Sequence, residues 1–438
     1  MKQTHFGLIS AISIVIANMI GTGVFTGLGY QLLTIQDFAA IITLWIIGGL
    51  LSLCGAFVYA ELGAMLPHSG GEYRYLSEVF HPSLGFLSGW VSSTIAFTAP
   101  LALSSIAVGN YIVASLDYGN PTFIGLLSLL GLTAIHTLSH KASGTFQSFS
   151  TGAKVLFVII LIVLGCSHAD WDFSHFTPTI NTAAQMASPS FAVSLIYVIF
   201  AYSGWNASAY VASELKNPER DVPLSIILGT VFVTIVYVFL NMMYLMVAPM
   251  HEMMVNPETM MPKELVVIAG SHFLPPLFTS ISGLIIAFML ISSMSAMVVA
   301  GPRVLRSMVH EYVRGEEKSD ISTIPVKSIW LQTGIAVLMI LTSTYDTLIT
   351  FTTFLMTLFS SLTAMAAIYA RFSMKNVHRP YRMFAFPATP FLFLLINVWI
   401  LYYIYQDKPR DMYYVSAILI SGIIAWVILH IRKKRMQT

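Results

Sequence analysis

Two short stretches carry the residue types best suited to chemistry in this chain. "ANMIGTGVFTGLG" (17–29) sets Gly21, Gly23, Gly27 and Gly29 inside one apolar run, and "FAYSGWNAS" (200–208) sets Ser203, Gly204 and Asn206 inside another. Glycine disfavours a helix by about 1 kcal/mol relative to alanine, so each stretch is a candidate break. Within hydrocarbon every backbone N–H and C=O needs a partner, and an opened helix survives only where it lines a cavity or a ligand. The amide end of a half-helix favours anions and its carbonyl end favours cations. Two such breaks suit a zwitterion. The competing explanation of the first glycines is close helix packing of the small-xxx-small kind. A third group is Lys154 in "STGAKVLFV". It lies about seven residues into an apolar segment, or roughly 10 Å deep. An intramembrane lysine either pairs inside the helix bundle or snorkels to the interface.

Other chemistries lack their residues. No CxxC, HExxH or phosphate-loop pattern occurs, and no carboxylate pair falls in an expected cleft. No metal and no cofactor is therefore expected, and the chain does not read as an enzyme. The two cysteines, Cys54 and Cys166, sit in or at the end of apolar segments and make no disulfide framework. A net charge of +2 gives no reason to expect a nucleic-acid partner.

The elements that must position these residues are membrane helices. The chain is 56% hydrophobic and 10% charged, where a soluble protein carries about 25% charged residues. Its mean hydropathy is +0.76. Twelve apolar segments have about the 20-residue length that a bilayer requires: 8–33, 39–66, 84–112, 122–138, 147–167, 190–213, 222–247, 276–309, 328–344, 347–370, 386–406 and 412–430. They are numbered here as spans 1 to 12. The first is too long for a cleaved signal and no small-residue cleavage site follows it, so it is expected to stay as a span. No separate soluble domain is visible. The fold class is thus an all-α integral membrane protein, one transporter domain over 1–438. Placing the N-terminus inside puts 18 of the 22 basic residues at cytoplasmic ends, among them Lys2, Lys141, Arg314, Lys318 and Arg432 to Arg435. By the positive-inside rule both termini are cytoplasmic. The two breaks fall in spans 1 and 6, five spans apart, and interrupted helices at matching places in two halves point to a transporter's binding site.

The sequence resembles the amino acid–polyamine–organocation superfamily, and is most similar to its L-type and alanine–serine–cysteine amino-acid transporter branch. The resemblance rests on "MIGTGVF" (19–25), "YAELGAMLPHSGGEYRYL" (59–76), "FAYSGWN" with "ELKNPERDVP" (200–223) and "RPYRMFAFPATP" (379–390). It implies the leucine-transporter fold: inverted five-helix repeats over 8–167 and 190–370, broken helices 1 and 6, and two peripheral helices over 386–430. It also implies a seat for an amino acid. The amides of Thr22, Gly23 and Val24 would hold the carboxylate, with Gly21 and Gly23 allowing close approach. Carbonyls near Met19 and Ile20, with those of Phe200, Ala201 and Ser203, would take the ammonium around the Gly204 break. Phe200 would be an aromatic gate, unless it is a packing phenylalanine. Trp205 would bound the side-chain pocket. Tyr237 either gives its hydroxyl to an unwound segment or packs in its helix.

In the resembling family a lysine at the place of Lys154 stands where sodium-coupled relatives bind a cation. Its ammonium would bond span-1 carbonyls around Ala17, with Ser292, Ser293 and Ser295 of span 8 completing the environment. Glu61 is the only acid placed within a span, and a gate or salt-bridge role suits its position near the cytoplasmic end. With no carboxylate in the expected site, a small neutral amino acid is the simplest substrate. The expected activity is sodium-independent exchange or facilitated flux. The alternatives are proton-coupled symport, then polyamine or cationic amino-acid transport, and outside this class a membrane-embedded enzyme or receptor. The expected partners are the amino acid and the lipid bilayer. A heavy chain linked by a disulfide is not expected, because the loop between spans 3 and 4, "DYGNP" (117–121), has no cysteine. The expected location is the plasma membrane, the inner membrane of a bacterium.

Overall fold

A computed structural model describes residues 7–138, 142–169, 177–309 and 325–437. Every regular element among them is a helix. Among the described residues ten helices are long and apolar enough to cross a membrane, and they fall on ten of the twelve expected spans. Span 6 departs from a simple helix: Ile180–Met186 and Pro189–Tyr202 meet at a 70° bend, and the second piece stops at Tyr202. Span 9, Val326–Thr342, is helical over 17 residues, slightly short of the usual straight crossing. Lys2, Lys141, Arg314 and Lys318, which contribute to the charge bias, lie outside the described residues.

Local chemistry sets the helix starts. The Asp37 carboxylate accepts the Ala40 N–H at 2.8 Å and opens span 2. Pro82, Pro189 and Pro218 stand in first turns, where the missing N–H costs nothing. Spans 1, 2, 6 and 7 then form the packed centre. A Cβ on Gly48 would lie 2.4 Å from Val198 of span 6, and one on Gly49 would lie 2.3 Å from Thr234 of span 7. Small residues there let three backbones approach where lipid supplies no hydrophobic drive between helices.

The outside of the bundle is apolar. Leu392, Leu395 and Val398 of span 11 and Ile420, Ile423 and Ile424 of span 12 are exposed. Such a surface needs hydrocarbon as its solvent, and the chain is a multi-pass membrane protein. At the expected cytoplasmic end, Glu61 pairs with Arg371, lies 3.5 Å from Arg379 and accepts the Met383 N–H at 2.8 Å. That ties span 2 to span 10 and the segment after it.

Candidate functional site

Span 1 is two helices, Leu8–Met19 and Thr22–Gln31, parted at Ile20 and Gly21. No side chain caps the second helix, and the first-turn amides of Thr22, Gly23 and Val24 have no acceptor within it. The two glycines differ. Gly21 is extended, with φ −136° and ψ −158°, and a Cβ there would meet nothing nearer than the Met19 carbonyl oxygen at 3.9 Å. A Cβ on Gly23 would lie 2.5 Å from the Cα of Ala201. Close packing therefore accounts for Gly23, whereas a Cβ on Gly21 would make only an ordinary van der Waals contact.

Span 6 breaks after Tyr202 and resumes as the short helix Ala207–Tyr210. Gly204 holds φ +96°, the left-handed region that glycine enters without a Cβ penalty. A Cβ there would also come within 2.9 Å of the Asn18 carbonyl. The breaks thus lean on each other, Gly23 against Ala201 and Gly204 against Asn18.

One side chain ties them together, and a second bonds the first break to span 8. The Tyr237 hydroxyl lies 2.5 Å from the Met19 carbonyl oxygen and 3.1 Å from that of Ala201, one acceptor from each break. Lys154 is buried and does not snorkel: its Nζ donates to Ile20 O at 2.8 Å and Ser293 Oγ at 2.6 Å, with Ala17 O at 3.4 Å. The carbonyls of Met19, Ile20 and Ala201, assigned above to a substrate ammonium, thus already accept from the protein. Phe200 O likewise accepts the Ser203 N–H at 3.1 Å. Ile20 O also accepts from Ser293 Oγ at 3.4 Å, whereas the carbonyls of Met19, Phe200 and Ala201 each keep a second lone pair that an ammonium could share.

The serine cluster needs one correction. Ser293 meets Lys154, but Ser295 is hydrogen-bonded to His136 Nε2 of span 4 at 2.8 Å. Residues two apart on a helix point about 200° apart, so both cannot face one ammonium. Ser292 is buried on the same helix.

Phe200, Ser203, Gly204 and Trp205 line one cavity. Its other wall holds Ser52, Glu72, Asn206, Thr353, Thr357 and Asn397. Sequence reasoning missed Glu72, which sits in a polar connection. Tyr59 Oη donates to its Oε1 at 2.5 Å and Asn206 Nδ2 to the same oxygen at 3.3 Å. Burial raises this carboxyl from 4.5 to about 7, against the hydrogen bond from Tyr59. The signal available in sequence was "GGEY": Gly70 and Gly71 take φ +127° and +52° and turn the chain back under span 2. An outer closure was also missed. Tyr345 Oη meets Thr22 Oγ1 at 2.6 Å and Thr26 Oγ1 at 3.0 Å. Tyr197 donates to Asp346 Oδ1 at 2.5 Å, and Lys408 pairs with the same carboxylate.

Two membrane helices broken against each other, with a cavity beside the second break, are the arrangement by which membrane transporters hold a solute. The chain belongs to the amino acid permease family, whose model matches residues 6–426. It is similar to the b(0,+)-type amino acid transporter 1 of Homo sapiens, 28% identical over 440 residues, 96% of this chain and 87% of that protein. It is 28% identical over 410 residues to the serine/threonine exchanger SteT of Bacillus subtilis, covering 91% and 90% of the two chains. The Asc-type amino acid transporter 1 of Mus musculus is 26% identical over 444 residues, 96% and 80% of the two. The family and these relatives are transporters rather than enzymes, and the chain is an amino acid transporter of the bilayer.

Proposed function

We propose that this protein carries small neutral L-amino acids across the plasma membrane of a bacterium by alternating access, without sodium, as an exchanger or a facilitated carrier. The observation that carries the reading is the Lys154 ammonium bonded to Ile20 O and Ser293 Oγ. A fixed cation between the first break and span 8 stands where a sodium ion would otherwise be needed to satisfy those oxygens. The amides of Thr22, Gly23 and Val24 offer a carboxylate the positive end of a half-helix. Phe200, beside the second break, closes over the substrate, and Trp205 bounds its side chain. Spans 1–5 and 6–10 act as two inverted repeats about this seat, with both chain ends in the cytoplasm. No disulfide-linked partner is needed: Cys54 and Cys166 lie in spans 2 and 5, away from the loop between spans 3 and 4.

Glu72 supports a second reading. A carboxyl raised to about 7 at the cavity wall is able to exchange a proton near neutrality, which suits proton-coupled symport. Its presence also removes the sequence-based reason for setting aside cationic substrates. The test is counterflow into liposomes containing the purified protein, with labelled alanine, serine, leucine, lysine and glutamate, at equal pH and with an imposed pH gradient. The expected result is counterflow of alanine and serine without a gradient. Accumulation only with an inward proton gradient selects the second reading, and counterflow of lysine alone defeats both.

A further inference from the structure

The cavity beside the span-6 break carries more polar chemistry than a backbone seat for carboxylate and ammonium requires. Span 10 contributes Thr353 and Thr357 to its wall, four residues apart and so on one helix face. They are 1% and 3% exposed, and neither hydroxyl has a hydrogen-bond partner. Threonines in helices usually bond back to the carbonyl four residues earlier, as Thr350 and Thr363 do in this same helix. An unpartnered buried hydroxyl costs free energy, so these two are placed for whatever fills the cavity. Glu72 completes the wall. Tyr59 and Asn206 both donate to its Oε1, leaving Oε2 with neither. Unlike Glu61, which Arg371 and Arg379 neutralise, Glu72 has no ion pair among the described residues.

We propose that this cavity is the side-chain subsite for amino acids bearing a hydroxyl, with Thr353, Thr357 and Glu72 as specificity-determining residues. The proposal rests on the amino-acid transport reading above and names the substrate class within it. A hydroxyl both donates and accepts. It can give its proton to the Glu72 carboxylate while taking one from a threonine. A methyl group leaves both threonine hydroxyls unsatisfied and gives Glu72 no further donor. A side-chain ammonium offers the threonine protons no acceptor. The groups facing Glu72 are Tyr59 of span 2, Tyr75 of its own helix, Tyr210 after the span-6 break and Ser88 of span 3. A tyrosine ordinarily titrates near 10, so between pH 6 and 8 Glu72 is the group that changes charge.

The experiment uses the full-length protein in liposomes and compares substrate pairs that differ by one hydroxyl, serine with alanine and threonine with 2-aminobutyrate. Wild type should favour the hydroxylated member by about tenfold in kcat/KM, and more at pH 8 than at pH 6, because a charged acceptor makes the stronger bond. Thr353→Val, Thr357→Val and Glu72→Gln should each shrink that ratio several-fold, mainly by raising KM for the hydroxylated member. Glu72→Gln should also remove its pH dependence. Should Glu72→Gln fail to fold, the two valine variants still decide the matter. The proposal is overturned if wild type shows no hydroxyl preference, if the ratio survives in every folded variant, or if lysine outcompetes serine. Transport of alanine with no such preference leaves the neutral amino-acid reading standing, whereas transport of neither alanine nor serine removes that reading and the subsite together.

Discussion

Lys154 places a hydrogen-bonding group against the first break, Glu72 against the second and Tyr237 against both, and each makes a separate prediction. Lys154 bonds the backbone of span 1 and not the cavity lining, so the proposal is that it acts on the conformational cycle, and only through different contact in different states. Lys154→Ala should slow turnover about tenfold or more, a change of about 1.4 kcal/mol, with a smaller change in equilibrium substrate binding. Arginine should not restore it, because a planar fork does not replace a compact ammonium. Binding lost in proportion to turnover would instead place Lys154 in the substrate seat. Tyr237→Phe removes the one donor shared by Met19 O and Ala201 O. It should destabilise the folded protein by about 1–3 kcal/mol, read as a lowered thermal midpoint in detergent, and reduce exchange. Glu72 is raised from 4.5 to about 7 by burial, so the folded state binds the proton more tightly than the unfolded one. Its share of stability is full below pH 4.5 and is lost as pH rises to about 7. Thermal midpoints in detergent should fall across that window, and Glu72→Gln should flatten the fall.

At the scale of elements, both breaks were legible because glycine and polar residues interrupt runs that lipid would otherwise keep helical. The sequence left the role of the first glycines open between packing and ligand approach, and the helices divide it. Gly23→Ala puts a methyl on the Cα of Ala201 and should cost about 1–3 kcal/mol as an overpacked contact. Gly21→Ala makes only an ordinary contact with the Met19 carbonyl oxygen at 3.9 Å and should fold normally, so that any loss of transport in it reports on the carboxylate seat. Thermal midpoints beside uptake rates separate the two. Lys154 was legible as an intramembrane cation, and its partner Ala17 was named from the resemblance. Ser295 was misassigned because three serines in four residues were read as a cluster, although the helical turn sends Ser293 and Ser295 to opposite sides. Glu72 was hidden for a different reason. Hydropathy places "HSGGEYRYL" outside the bilayer, and only the positive-φ turn at Gly70 and Gly71 folds the carboxylate back to the cavity. No periodicity reports a turn of that kind.

At the scale of the molecule, ion pairs and hydroxyl contacts join the helices at both ends of the bundle. Outside, Tyr30 stacks on Tyr197 and Tyr345 with ring centroids 4.9 and 5.9 Å apart, and Asp346 holds Tyr197 and Lys408. Inside, Glu61 holds Arg371. These contacts join the outer halves of spans 1 and 6 to span 10, and span 2 to span 10 at the other end. Tyr345→Phe frees Thr22 and Thr26 from their outer partner, and amides of the Thr22–Gln31 helix should then exchange hydrogen faster than in wild type. Unchanged exchange there would mean that packing alone holds the outer half of span 1. The central claim is that a built-in ammonium at Lys154 takes the place of a coupling sodium ion. Its most direct test is the exchange of labelled serine for internal alanine in liposomes, with sodium replaced throughout by choline. The account predicts the same exchange rate in both salts. A rate that climbs and saturates with sodium would contradict it.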